Sequence, residues 1–159
     1  MNVRKAKMTD VEVIYDMIYA YAEEGLLLPR ERSSLIENLQ NIFVVVGERD
    51  EVYGAAGLHI LGDQLAEIRS LVVTPSMKGK GIGRILVERV VEETRYLEIE
   101  RLISLTYQVA FFHKLGFEIV DKDELPQKVW KDCIHCPKLH NCDEIAMVIT
   151  VKDPSSTIN

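Results

Sequence analysis

Apolar residues recur along this chain at two spacings, every second position or every third and fourth, and the switches between them divide it into elements. Val3 to Ala6 reads as a short first strand. Thr9-Asp10-Val11-Glu12 has the form of a capping box, after which Val11, Ile14, Ile18 and Tyr21 share one helical stripe that ends near Gly25. Leu26 to Arg32 reads as a loop, and Ser33 or Ser34 stands where it would cap a short helix bearing Leu35, Ile36, Leu39 and Ile42. Phe43 to Gly47 is a β-branched run and Arg49-Asp50-Glu51 a turn. Val52 to Leu61 is a strand rich in small residues (Gly54, Ala55, Ala56, Gly57), and Gly62-Asp63 turns it into a partner strand through Glu67.

That partner strand leads into the stretch around which the rest is organised. Ile68, Leu71, Val72 and Val73 read as a buried strand ended by Pro75. Lys78, Gly79, Lys80, Gly81, Ile82 and Gly83 follow, and then Ile85, Leu86, Val87, Val90 and Val91 mark an amphipathic helix fading near Tyr96. Strand, glycine loop and helix in this order turn backbone N–H groups toward one point at the positive end of a helix dipole, which is an anion site. Later elements are a strand over Leu102 to Thr106, a short helix over Val109 to Leu115 closed by Gly116, a strand from Phe117 to Val120 and a last strand over Ile145 to Val151. Residues 1–152 are expected to form one domain, and 153–159 a flexible polar tail.

The loop is neither a Walker loop nor the dinucleotide fingerprint, both of which need other spacings. Lys78-x-x-Gly81-x-Gly83 resembles instead the [Gln/Arg]-x-x-Gly-x-[Gly/Ala] pyrophosphate loop of the GNAT superfamily of N-acetyltransferases, with lysine in place of the usual Gln or Arg. The block AFFHKLGFEIV is similar to the region that follows the fifth strand in those enzymes. The resemblance covers almost the whole chain. It implies an α/β (α+β) GNAT fold, a mixed, mostly antiparallel sheet of six or seven strands with helices on both faces. It also implies acetyl-CoA as cosubstrate, held by the backbone of Leu71, Val72 and Val73 and by Lys78, Gly79, Lys80, Gly81, Ile82, Gly83 and Arg84. A backbone N–H near Leu71 or Val72 would polarise the thioester carbonyl.

An amine is mostly protonated at neutral pH, so transfer needs a base. The resemblance places Glu67 in that role; the alternative is a strand-end carboxylate paired with Arg69, which alternation puts on the same face. Many relatives carry a tyrosine where this chain has Phe112, which leaves Tyr107 as the candidate acid, with water able to serve in its place. Arg30, Arg32 and Arg69 are candidates for holding the acceptor, because guanidinium geometry suits a carboxylate, and Lys128, expected close to the substrate cleft, is a further candidate for a second carboxylate; loop charges in solvent are the alternative. The loop LLLPRERS, the strand AEIRSLVV and the segment from Leu125 to Met147 are similar to those of the short single-domain bacterial N-acetylglutamate synthases, which implies L-glutamate as acceptor and a place at the start of arginine synthesis. Within enzymes the rival is another amine or a protein N-terminus. From another class it is a silent acetyl-CoA-binding or metal-sensing module.

Composition narrows the partners. A net charge of −6 disfavours a general polyanion such as DNA, so the basic cluster of Lys78, Lys80 and Arg84 is matched to a small anion. No apolar run reaches the length of a membrane span and the first residues lack a signal-peptide pattern, so a cytoplasmic location is expected. Cys133-x-x-Cys136 and Cys142, with His140 to complete the set, have the spacing of a structural zinc site; the alternative is ordinary thiols in a packed loop. A homodimer is left open.

Overall fold

The computed structural model describes residues 1–125 and 144–151. Seven strands form one mixed sheet: β1 (Asn2–Lys5), β2 (Ile42–Val46), β3 (Val52–Gly62), β4 (Leu65–Val73), β5 (Arg101–Thr106), β6 (Glu118–Ile119) and β7 (Ile145–Thr150), in the order β1-β2-β3-β4-β5-β7-β6. The helices are α1 (Val11–Glu23), α2 (Arg32–Glu37), α3 (Ile82–Tyr96) and α4 (Val109–Lys114). The β1/β2, β2/β3, β5/β7 and β6/β7 pairs are antiparallel, and β4/β5 is parallel. The mostly antiparallel mixed sheet matches the expected fold class.

Two compact units divide the chain, one of Met1–His59 with Ile68–Glu93, the other of Ile60–Glu67 with the described residues from Thr94 onward. In the first, β2 is buried at every position, and Val44, Val46, Ala55 and Val72 pack with Val11, Ile14, Ile18 and Leu35 of α1 and α2. Burial of that helical stripe is the main force holding α1 down, since a 13-residue helix is marginal alone. In the second, Leu65, Ile103, Leu125 and Ala146 form the core cluster. The β4/β5 register there runs from Leu65↔Arg101 to Glu67↔Ile103.

Two helix starts differ from the sequence expectation. Asp10, rather than Thr9 with Glu12, organises the entry to α1: its carboxylate accepts the Lys7 N–H at 2.7 Å and pairs with Arg4 at 2.7 Å, while Glu12 bonds Arg32. A buried acid with a guanidinium at hand outcompetes an exposed capping box. Neither Ser33 nor Ser34 caps α2, whose N-cap is Glu31. The Ser34 hydroxyl instead accepts from Arg30 Nε at 2.8 Å.

Candidate active site

The glycine loop is built as its sequence requires. Thr74 N–H donates to the Tyr53 carbonyl at 2.8 Å, tying the end of β4 to β3, and Pro75–Met77 makes one tight turn. Gly79 and Gly81 then take φ of +80° and +82°, the left-handed region that side chains avoid. A Cβ at either would meet no atom within 4 Å, so backbone conformation rather than crowding demands glycine, and the space beside the loop is open. The first bond of α3 runs from Ile85 N–H to Gly81 C=O at 3.1 Å. The Ile82, Gly83 and Arg84 amides precede it and have no helical acceptor, the usual condition of a helix N-terminus. Exposed Lys78 and Lys80 add positive charge. Arg84 is exposed and bonded to Glu88 at 2.8 Å, one turn along α3. Such an end suits a phosphate.

Gly54 on β3 lets this helix start sit where it does. A Cβ there would lie 2.7 Å from the Val72 carbonyl oxygen and 2.9 Å from Ile82 Cγ2. Both are closer than a methyl group tolerates, so α3 can approach the β3/β4 hairpin only over glycine.

The β4 backbone is less regular than its sequence suggests. Ser70 has φ of +56°, left-handed in mid-strand, and this interrupts the alternation expected from Glu67 through Val73. Beyond it the backbone parity is readable. Thr74 N–H points to β3, the Val72 oxygen lies against Gly54 of β3, and the Val73 N–H and C=O both face the other way, to the Tyr21 hydroxyl at 3.0 and 3.3 Å. By the same parity Val72 N–H turns toward β3 and Leu71 N–H away from it. Of the two amides expected near a thioester, Leu71 therefore has the outward orientation.

A cationic cluster stands on the same hairpin. Arg30 donates from Nε to Ser34 Oγ at 2.8 Å and from Nη1 to Ser70 Oγ at 3.1 Å, and its Nη2 lies 3.3 Å from His59 Nε2. Arg69 Nη1 lies 3.3 Å from His59 Nδ1. Guanidinium only donates, and a neutral imidazole offers one lone pair, so only one of these two contacts can be a hydrogen bond in any tautomer. Burial first, and then the charge of Arg69, hold the Arg30 guanidinium below its ordinary basicity. No carboxylate among the described residues bonds Arg30. A half-buried cation set among hydroxyls, an imidazole and a second cation is a place for an anion.

Of the residues singled out in sequence, Arg30 and Arg69 are thus brought together, whereas Arg32 does not join them. It is exposed, bonded to Glu12 at 2.7 Å and stacked 4.0 Å over the Tyr15 ring. His59 and Ser70 were not anticipated. The hairpin turn is Asp63-Gln64, one residue later than the sequence suggested, and counting outward from it sets His59 opposite Ile68, next to Arg69. From a Gly62-Asp63 turn the count reaches Ala66 instead, so the signal was there but offset.

In the second unit, Glu67 is 6% exposed, in register with Ile103, so it is no surface carboxylate. Tyr107 follows β5 at a bend, where Gln108 N–H donates to Thr106 Oγ1 at 2.8 Å. Phe112 is buried, edge-on to Phe111 and Phe117 with centroids 5.1 Å apart, so this position packs the interior. Lys128, Cys133, Cys136, His140 and Cys142 lie outside the described residues. Among those described, no group of three or more His, Cys, Asp or Glu side chains is placed to hold a metal, and no helix is long and apolar enough to cross a membrane.

Residues 10–117 match the model of the acetyltransferase (GNAT) family. The chain is 38% identical to an uncharacterized N-acetyltransferase of Chlorobaculum tepidum, over 94% of this chain and 96% of that protein. It is 32% identical to an amino-acid acetyltransferase of Mycobacterium tuberculosis, over 82% of this chain and 75% of the relative. Among solved structures, the N-acetylglutamate synthase of Neisseria gonorrhoeae complexed with coenzyme A and N-acetyl-glutamate superposes with a TM-score of 0.85 at 25% identity. That match covers 95% of this chain but only 35% of the Neisseria chain.

Proposed function

The chain belongs to the GNAT acetyltransferase family, and from that premise we propose that this acetyl-CoA-dependent N-acetyltransferase acts on the α-amine of L-glutamate. The observation that carries the choice of acceptor is the Arg30 guanidinium, half-buried beside Arg69 and His59, with hydroxyls as its other partners. An amino-acid carboxylate entering there brings a negative charge to a guanidinium whose own hydrogen bonds run to hydroxyls and an imidazole. Names carried by relatives at moderate identity support the reading, as does the Neisseria complex with N-acetyl-glutamate. With glutamate as acceptor, the reaction opens arginine biosynthesis, and a cytoplasmic setting goes with that role.

In this reading the amides from Gly79 to Gly83 take the coenzyme A diphosphate, with Lys78 and Lys80 supplying charge. Glu67 removes the proton from the acceptor's ammonium, directly or through water, and the freed amine attacks the thioester carbonyl. A C–N bond forms as the carbonyl oxygen takes the electron pair; Leu71 N–H is the donor proposed to meet it. The C–S bond then breaks, the nitrogen gives up its second proton to water to leave the neutral amide, and the thiolate takes a proton from Tyr107 or water. A thiol pKa of about 8.5 makes that leaving group undemanding. Direct attack of this kind needs no acyl-enzyme.

The test is thiol release from acetyl-CoA across a panel of L-amino acids, diamines and peptides. Turnover confined to amino acids, and fastest with glutamate, agrees with the proposal. Faster turnover of a diamine or a peptide N-terminus overturns it.

A further inference from the structure

Tyr21, in the last turns of α1, makes two contacts that the packing of its ring does not require. Its hydroxyl accepts the Val73 N–H at 3.0 Å and donates to the Val73 carbonyl at 3.3 Å. Its ring lies 5.1 Å under the Lys78 ammonium. One hydroxyl thus occupies both backbone groups of the last β4 residue, on the side turned away from β3, in the manner of a neighbouring strand. Five residues later in the chain begins the glycine loop, whose open side suits an anion. An extended ligand with a diphosphate at that loop and amides in its arm, which describes acetyl-CoA, would meet Val73 as it runs back along β4. It would pair there as an added strand does.

We infer that the Tyr21 hydroxyl is a placeholder for the amide arm of the cosubstrate. It keeps the Val73 N–H and C=O bonded in the free protein and must let go of them when acetyl-CoA binds. Because the same ring carries the Lys78 ammonium, its displacement moves a cation at the edge of the anion loop, so the arm site and the diphosphate site respond together. The inference rests on the acetyl-CoA reading of the loop. Each contact to Val73 is partly balanced by water once broken, so the placeholder weakens cosubstrate binding by only its net advantage over water.

Tyr21→Phe isolates the hydroxyl, since the ring, its packing against the α1/β2 core and its face toward Lys78 all remain. Calorimetric titration with acetyl-CoA should show binding about three- to tenfold tighter than wild type. In the free protein, hydrogen exchange at the Val73 amide should be faster in the variant. Equal or weaker binding by the variant overturns the placeholder while wild-type binding upholds the loop reading. Unchanged Val73 exchange overturns it as well. If wild type itself does not bind acetyl-CoA, the loop reading falls and the inference with it.

Discussion

Arg30→Met separates the acceptor site from the fold, because the structure gives the Arg30 charge opposite effects on the two. A hydrogen bond to a charged group is worth about 1.5–3 kcal/mol, so a two-pronged grip on a carboxylate contributes roughly 3 kcal/mol of acceptor binding. At about 1.4 kcal/mol per tenfold, the glutamate KM should rise on the order of 100-fold. Folding responds otherwise. Arg30 is half-buried beside Arg69, and both circumstances lower its basicity, so its charge opposes the folded state. That opposition is present at every pH below the lowered value and disappears only above the ordinary one, so it does not change across neutral pH. Methionine keeps the apolar stem and removes the charge. The Ser34 and Ser70 hydroxyls that lose a donor are only partly buried and can turn to water. Tm should therefore hold or rise slightly while the acceptor KM climbs and the acetyl-CoA KM stays put. Steady-state thiol release and a thermal melt on one preparation read all three. An unmoved glutamate KM refutes the reasoning, and so does a large fall in Tm with both KM values raised, which would make Arg30 a structural strut.

Glu67→Gln should lower kcat by about 10²- to 10⁴-fold with acetyl-CoA affinity retained and the acid limb of the pH–rate profile lost; an unaltered profile removes Glu67 as the base. Gly54→Ala pushes a methyl group against the Val72 carbonyl and Ile82, so denaturant titration should show a loss of about 1–3 kcal/mol, with weaker acetyl-CoA binding as the start of α3 shifts. Burial pushes the Asp10 carboxyl up, but the Arg4 hydrogen bond, the Lys7 N–H and the nearby positive charges outweigh it and bring it below its ordinary value of 3.8. Its contribution is therefore present above that value and is lost as pH falls through the folded one. Asp10→Asn should cost about 2 kcal/mol at pH 7, and the gap to wild type should close in acid unfolding curves below pH 3.8.

What the residues disclosed in order follows from how local each cause is. Gly79 and Gly81 announce a left-handed loop because few other residues adopt it at no cost, and the α1 stripe is legible because burial of one face imposes its period. Ser70 adopts the same left-handed region with a side chain that carries no such mark, so alternation was carried straight through a strand that bends there. Tyr21 fits the apolar stripe by its ring, and only the tertiary approach of Val73 gives its hydroxyl a partner. Arg30 and Arg32 are equivalent by sequence. One turns to Ser34, Ser70 and His59, the other to Glu12 and Tyr15, and that division depends on which partners the folded chain presents. The lysine and cysteine candidates from Lys128 to Cys142 lie beyond the described residues.

The central claim is that the cationic cluster at Arg30 chooses a dicarboxylic amino acid, and the ratio of kcat/KM for L-glutamate to that for L-glutamine measures it most directly. The two acceptors share size and α-amine and differ by one negative charge. A ratio of about ten or more in favour of glutamate, collapsing toward one in Arg30→Met, is the result expected if Arg30 and its neighbours meet the side-chain carboxylate. Equal turnover, or a preference for glutamine, contradicts it.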